Sequence, residues 1–407
     1  MSLPNSLPIP EAALDIARTL EAAGHQVWCV GGAIRDTLLA GAPGAVPLSP
    51  ADIDFTTSAR PEQVQALFGR KRTVDVGSEH GTIGVLDRDR VLHEVTTFRR
   101  DVTTDGRRAV VEYGVSVEED LARRDFTINA IAYQPFRHQW KDPFNGAADL
   151  STGVVRAVGT PGERFREDYL RILRALRFAA RFGFVIDPPT WEAARAAAPG
   201  LTHLSAERVR DELFKALRTA RSVPHLIELW QTVGAAAIWL PELGHTGPSN
   251  GGYSVAEANR EPRDPVLLVT LLCGNPGAVL RRLKARNVEI ARAEAASRAA
   301  AEPTSGEVVS VRRWLAGTGS SADDLLALWR LRKGTDAPWS GTVADIRERG
   351  DPLTRSDLAL GGNDLIALGV PRGPAIGTML DRLLDRVLED PSVNTPEGLR
   401  TLVKEIA

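Results

Sequence analysis

The alternation of apolar and polar positions changes character once along the chain, near residue 150. Before that point the signals are mixed. The stretch Glu11 to Ala23 has the spacing of an amphipathic helix, and Gln26 to Val30 is a short β-like run ending in Gly31-Gly32. A helix is expected from Ala33 to Leu39. Strand-like runs follow at Ile53 to Thr57, Thr73 to Val76, Thr82 to Leu86 and Val91 to Phe98. They are interrupted by a helix from Pro61 to Phe68, where proline sits in the first turn and its missing N–H costs nothing. Short strands, few helices and tight turns predict an α+β domain. After residue 150 the pattern is helical almost throughout. Arg164 to Phe182 reads as one long helix, Pro188-Pro189 opens the next, and Ser205 stands at the N-cap of another that reaches Ala220. Gly244 to Pro265, rich in Gly, Pro, Asn and Ser, reads as a long loop or domain boundary. The expected organisation is a mixed-sheet head over 1–150, followed by helical segments over 151–241, 242–350 and 351–407.

Composition narrows this picture. The 407 residues are 43% hydrophobic and 25% charged, enough apolar material for a sizeable core, while aromatics are only 6%. The formal net charge of −2 does not advertise a polyanion partner, but the charge is uneven. Between Arg164 and Arg221 twelve basic residues stand against seven acidic ones, a local excess that suits phosphates or RNA, or else a solvated helical face. The two cysteines, Cys29 and Cys273, lie in apolar runs, which excludes a disulfide framework and fits a reducing cytoplasm. The first residues lack the charged and apolar regions of a signal peptide, and no stretch has the length and apolarity of a membrane span.

Several short patterns carry candidate chemistry. In Asp52-Ile53-Asp54, strand alternation points both carboxylates the same way and sends Ile53 into the core. Two carboxylates on one face repel unless a cation lies between them, and Mg²⁺ is the hard cation such oxygens prefer. Upstream, Val30-Gly31-Gly32-Ala33-Ile34-Arg35-Asp36 reads as a strand entering a helix through glycines, where backbone N–H groups and the helix dipole favour a phosphate and Arg35 can add a guanidinium. The spacing is not that of a dinucleotide fingerprint. Glu94, on a strand with Leu92 and Thr96 on the same face, supplies a third acid if its strand lies beside that of Asp52 and Asp54. Such a cluster can hold two divalent ions for in-line phosphoryl transfer. His93 points the other way and reads as structural.

Taken in order, GGAIRD, DID, SEHGTIG, EVTTFRRD, LARRDFTINAIAY, DPFNGAADL and REDYLRILRALRFAARFGF resemble the class II tRNA nucleotidyltransferase and bacterial poly(A) polymerase family, within the polymerase-β-like nucleotidyltransferases. The segment from Gly362 to Pro374 resembles the family's C-terminal region more loosely. The resemblance implies a nucleotidyltransferase head followed by an all-helical neck, body and tail. It implies that Gly32 and Arg35 hold the triphosphate, Asp52 and Asp54 bind metal, Glu94 completes the catalytic acids, and Arg124 and Asp125 contact ribose or phosphates. Thr103 to Val111 is then a flexible loop that helps to switch nucleotide choice. Arg174 and Arg177 also line the nucleotide site.

Asp168 and Arg171 match the motif by which the family reads the base. Three apart on one helix, they share a face. A carboxylate accepts from an exocyclic amine and a guanidinium donates to a ring acceptor, so the pair suits C and A and rejects U and G. The competing interpretation is a surface salt bridge. Arg171, Arg174, Arg177 and Arg181 form a basic stripe, with Leu170, Leu173, Leu176 and Ala180 on another face. The linker between Asp36 and Asp52 is long and rich in Gly, Ala and Pro. The implied activity is CCA addition to the 3′ end of tRNA from CTP and ATP. The alternatives are a poly(A) polymerase, a CC-only or A-only enzyme, and an RNA-binding protein without catalysis. The implied partners are tRNA, CTP and ATP, and the implied cofactor is Mg²⁺.

Overall fold

The computed structural model describes residues 3–40, 53–104, 109–243 and 258–406, and divides the chain into two units, Met1–Pro241 and Glu242–Ala407. The first unit is built on a seven-stranded mixed sheet. In chain order its elements begin with α1 (Glu11–Ala22), β1 (Val27–Val30), α2 (Gly32–Ala40), β2 (Asp54–Thr57), α3 (Pro61–Phe68), β3 (Thr73–Gly77), β4 (Thr82–Leu86) and β5 (Leu92–Thr97). They continue with β6 (Arg99–Thr104), β7 (Ala109–Tyr113), α4 (Val117–Ala122), β8 (Ala132–Gln134), β9 (Gln139–Lys141) and α5 (Gly146–Thr152). The helical part of this unit holds β10 (Val154–Val155), α6 (Pro161–Glu167), α7 (Leu170–Phe182), β11 (Val185–Ile186), α8 (Pro188–Ala197), α9 (Ala206–Thr219), α10 (Val223–Val233) and α11 (Ala235–Trp239).

The sheet order is β3-β4-β5-β2-β1-β8-β9. β2 and β5 run parallel, with Phe55 beside Val95 and Thr56 beside Thr96; the other neighbours are antiparallel. One face carries Ile83, Val85, Val95, Phe55 and Cys29, all buried, as alternation dictates for a half-covered sheet. On the other face Trp28 and Val30 pack with Phe98, Val117, Leu121, Ala130, Ala132 and Val158, so α4 covers the β1 side.

Two expectations are corrected. β6 pairs antiparallel with β7, so residues 103–104 and 109–111 of the expected loop Thr103 to Val111 are strand, while residues 105–108 lie outside the described residues. The strands lack an apolar alternation, and Arg100 pairs across them with Glu112 at 2.7 Å, so the hydrophobic pattern gave no strand signal. The single helix expected over Arg164 to Phe182 is two. α6 ends at Glu167, Asp168 is extended at φ −155° and ψ 105°, and α7 starts at Leu170. The Asp168 carboxylate accepts the Leu170 N–H at 3.0 Å, a side-chain cap that competes with continuing the helix. Ser205 occupies the N-cap of α9, without a side-chain capping bond. The linker residues 41–52, including Asp52, and residues 244–257 of the expected boundary lie outside the described residues.

The second unit is helical: α12 (Pro265–Leu272), α13 (Pro276–Arg282), α14 (Asn287–Arg298), α15 (Val308–Thr318), α16 (Ala322–Lys333), α17 (Ser340–Arg349), α18 (Gly362–Ala367), α19 (Pro374–Glu389) and α20 (Pro396–Ile406). The last three enclose a core of Leu365, Met379, Leu383, Val387, Leu399 and Val403. Arg312 of α15, buried, ties Asp351 at 2.6 Å to the Leu388 carbonyl at 3.0 Å. Among the described residues no helix is long and apolar enough to cross a membrane. The architecture is α+β, with the sheet confined to the first unit.

Candidate active site

The parallel pairing of β2 with β5 brings the acids together. Phe55 opposes Val95, so the residues one step back, Asp54 and Glu94, are neighbours on the opposite face. Ile53 is buried, and the intervening backbone is held by His93, whose Nδ1 lies 2.9 Å from the Ile53 carbonyl and whose Nε2 lies 3.1 Å from Asp87. Glu94 is exposed at the mouth of this face. Asp52, two residues before Asp54, lies outside the described residues, and among the described residues no group of three or more candidate ligands closes around one point. Hard, anionic oxygens on adjacent strands are nonetheless the donor set a divalent ion takes.

β1 delivers the glycine turn expected to receive phosphate to the same place. Val30 pairs with Asp54, and Gly31 follows at φ +82°, a conformation that favours glycine. A Cβ at Gly31 would stand 3.1 Å from Asp54 Oδ2, so glycine also leaves the carboxylate room. Gly32 opens α2. Arg35, one turn later, is 4% exposed: its Nη1 donates to Asn129 Oδ1 at 2.6 Å, its Nε to Asp36 at 2.8 Å, and its guanidinium lies 4.9 and 4.8 Å from the Phe178 and Phe182 ring centres. Burial pulls its pKa down and Asp36 opposes that. The Arg35 guanidinium is thus built into the wall behind the turn.

Asn129 continues this wall, because its amide donates to Asp125 Oδ1 at 2.9 Å. Asp125 Oδ2 accepts from Arg174 Nε at 2.7 Å, and the Arg177 Nε donates to Glu212 at 2.6 Å. Burial alone would push the Asp125 carboxyl up; Arg174, Asn129 and Arg171 more than reverse this and hold it at about 2. The segment carrying Asn129 is fixed by the Asn145-Gly146 turn. A Cβ at Gly146 would come within 2.1 Å of the Thr127 carbonyl, and Asp142 accepts the Gly146 and Ala147 N–H groups at 2.6 and 3.0 Å. Arg124 reaches the buried Asp120 at 3.4 Å and the Asn129 carbonyl at 3.4 Å, while its buried Nε has no hydrogen-bond partner among the described residues.

Asp168 and Arg171 do not share a helix face, since the chain breaks between them. They remain one turn apart, with the Arg171 N–H donating to the Asp168 carbonyl at 3.0 Å. The competing interpretation, a salt bridge between them, gives way to other partners: Asp168 Oδ2 accepts from Arg208 of α9 at 2.7 Å, and Arg171 pairs with Glu167 at 2.6 Å and reaches the Arg123 carbonyl at 3.0 Å. The basic stripe is not solvated either. Arg177 is 2% exposed and Arg181 pairs with Asp36 at 2.8 Å. Sequence reasoning missed Asp120, Asn129, Arg208 and Glu212. Asp120 had a signal, standing three and four residues before Arg123 and Arg124 on a helix; Arg208 and Glu212 had none, as their partners lie 40 and 35 residues away.

The comparisons with known proteins fall on the same region. The model described as the poly A polymerase head domain matches residues 27–156, and one described as a probable RNA and SrmB-binding site of polymerase A matches residues 183–245. A CCA-adding enzyme of Geobacillus thermodenitrificans is 34% identical over 97% of this chain and 96% of its own. The chain belongs to the CCA-adding enzyme family. A CCA-adding enzyme of Lacticaseibacillus paracasei is 32% identical over 100% of this chain and 99% of its own. The crystal structure of the Bacillus stearothermophilus CCA-adding enzyme in complex with CTP superposes with a TM-score of 0.78, at 32% identity and 98% coverage of both chains. As a CCA-adding-family nucleotidyltransferase, the protein is of a kind that generally needs a divalent metal.

Proposed function

We propose that this chain adds or repairs the 3′-terminal CCA of tRNA from CTP and ATP, releasing pyrophosphate, with Mg²⁺ as the divalent ion. The observation that carries the reading is the register of β2 and β5, which sets Asp54 beside Glu94 at the edge of the Gly31-Gly32 turn. Membership of the CCA-adding family over nearly the whole chain supports it, as do relatives described in complex with CTP and with tRNA.

In this reading Asp52 and Asp54 hold the metal, which supplies Lewis-acid stabilisation of charge on the α-phosphate and lowers the pKa of the attacking hydroxyl. Glu94 lies next to Asp54 and takes the proton of the tRNA 3′-hydroxyl. The backbone at Gly32 receives the triphosphate. Arg35 holds that turn from behind, and Arg124, set by Asp120 and the Asn129 carbonyl, is the residue that contacts ribose or phosphate. Asp125, kept ionised at any physiological pH, anchors Arg174, and Glu212 anchors Arg177, so these cations line the nucleotide site in fixed orientations.

Asp168 and Arg171 read the base. Arg208 and the Leu170 N–H orient the Asp168 carboxylate, and Glu167 and the Arg123 carbonyl orient the Arg171 fork. Cytosine and adenine each present an amine next to an acceptor, which this pair matches; uracil and guanine put a carbonyl where the amine should be. The helical segments over 151–241, 242–350 and 351–407 act as neck, body and tail that grip the tRNA mainly by shape and backbone contacts, as RNA duplexes demand. Two buried, unpaired cysteines support a cytoplasmic location.

The experiment is incubation with tRNA lacking its 3′ end, supplying CTP and ATP separately and together. Ordered addition of C, C and A followed by a stop is expected. Long A tails would establish the poly(A) polymerase instead, and binding without incorporation an inactive RNA-binding protein.

A further inference from the structure

The face of the sheet that carries the acids is covered on one side only. Beyond Glu94, away from β1, the row continues through Gly84 of β4 to Val74 of β3, since Glu94 opposes Gly84 and Gly84 opposes Val74. Here the face is bare among the described residues and apolar. Val74, Val76 and Leu92 are 43%, 41% and 40% exposed, in a head whose other large apolar side chains are mostly buried. Leu92 and Val76 meet over the glycine: a Cβ at Gly84 would lie 2.8 Å from Leu92 Cδ1 and 3.3 Å from Val76 Cγ1. Glycine is what allows Leu92 and Val76 to close into a flat surface.

We propose that this platform is the seat of the 3′-terminal nucleotide of the tRNA being extended, with its ribose at Glu94 and its base on Leu92, Val76 and Val74. The inference rests on the nucleotidyltransferase reading given above. Two independent arguments lead to it. First, an in-line displacement needs the attacking oxygen opposite the leaving group. The Gly31-Gly32 turn, on β1, places pyrophosphate to one side of Asp54 and Glu94; the platform lies on the other, within about 10 Å of Glu94 at two strand spacings. Second, the terminal nucleotide changes with every cycle, from the residue preceding CCA, to the first C, to the second. A seat that serves all three must bind a base without reading its edge. An apolar surface does this, because every base has a π-face, whereas a polar pocket would discriminate.

The proposal is tested with the full chain and three tRNAs, ending before CCA, after the first C and after the second. The parent enzyme must first extend all three; failure there rejects the function and not the seat. Leu92→Asp and Val76→Asp are expected to raise KM for each tRNA tenfold or more, to leave KM for CTP within twofold, and to keep the parent melting temperature, while Leu92→Met stays near the parent. A tRNA carrying 4-thiouridine as its last nucleotide should crosslink on irradiation to the peptide spanning residues 73–96, which decides the matter even if the aspartate variants fold poorly. Unchanged KM for tRNA in folded variants, an effect limited to one of the three termini, or a crosslink elsewhere would overturn the proposal. So would a concentration-dependent dimer that Leu92→Asp dissolves without altering KM for tRNA, which would give the platform to a second copy of the chain.

Discussion

The two halves of the candidate site are built on opposite electrostatic plans. Along α7 each inward arginine already has its carboxylate: Arg174 has Asp125, Arg177 has Glu212, Arg181 has Asp36. At the ends of β2 and β5 acids stand beside acids, with Glu94 exposed and Asp54 against a glycine. The first arrangement is complete in the protein alone and contributes to its stability. The second sets two carboxylates side by side on neighbouring strands, the donor set a divalent ion takes. In the proposed reading the arginine–carboxylate pairs serve recognition and the paired acids serve the reaction.

Substitutions should separate the two plans. Asp54→Ala is expected to lower turnover a thousandfold or more, about 4 kcal/mol of transition-state stabilisation, with a melting temperature close to the parent's. A thermal scan beside a single-turnover assay checks both, and retained turnover would remove Asp54 from the reaction. Asp125→Ala inverts the pattern. It removes the nearer partner of Arg174, which is a third exposed and keeps only Glu212 at 3.5 Å, and should cost roughly 1–3 kcal/mol of stability in a urea titration, with the loss of activity secondary. Equal effects of the two substitutions on stability would erase the distinction drawn here.

Asp168→Ala should lower the preference for CTP over UTP by roughly a hundredfold while tRNA affinity changes little, measured by competition between labelled nucleotides. Acid should act through Asp125. The Asp125 pKa is depressed from an unfolded value near 4 to about 2, so its contribution, about 2 kcal/mol, is fully present above pH ~4 and is lost as pH falls toward 2. Asp125→Asn should flatten that part of the stability profile. The smallest effect is reserved for Arg100→Ala in the β6–β7 hairpin. Its pairing with Glu112 is half-exposed, and the change should stay below about 1 kcal/mol.

The sheet half was readable from sequence because its rules are local. Strand alternation put Ile53 inward and Asp54 outward, and the order of short apolar runs indicated a mixed α+β head. The neck half was less readable because its partners are remote. Asp168 looked like part of a continuous helix, since nothing in REDYLR shows that the carboxylate caps Leu170 and that Arg208, 40 residues on, holds it in place. The carboxylate partners of the arginine stripe were invisible for the same reason: they come from α2, α9 and the segment before Asn129. The hairpin was missed because cross-strand polar pairs leave no apolar trace. Asp52, on which the metal reading partly depends, lies outside the described residues.

Arg35 gives this arrangement a mechanical meaning. It lies over the Phe178 and Phe182 rings of α7 while holding Asp36 of α2 and Asn129. The start of α2, the phosphate end in the proposed reading, and α7, which follows the proposed base-reading corner, are therefore tied to one guanidinium, so the two recognition elements share a single anchor.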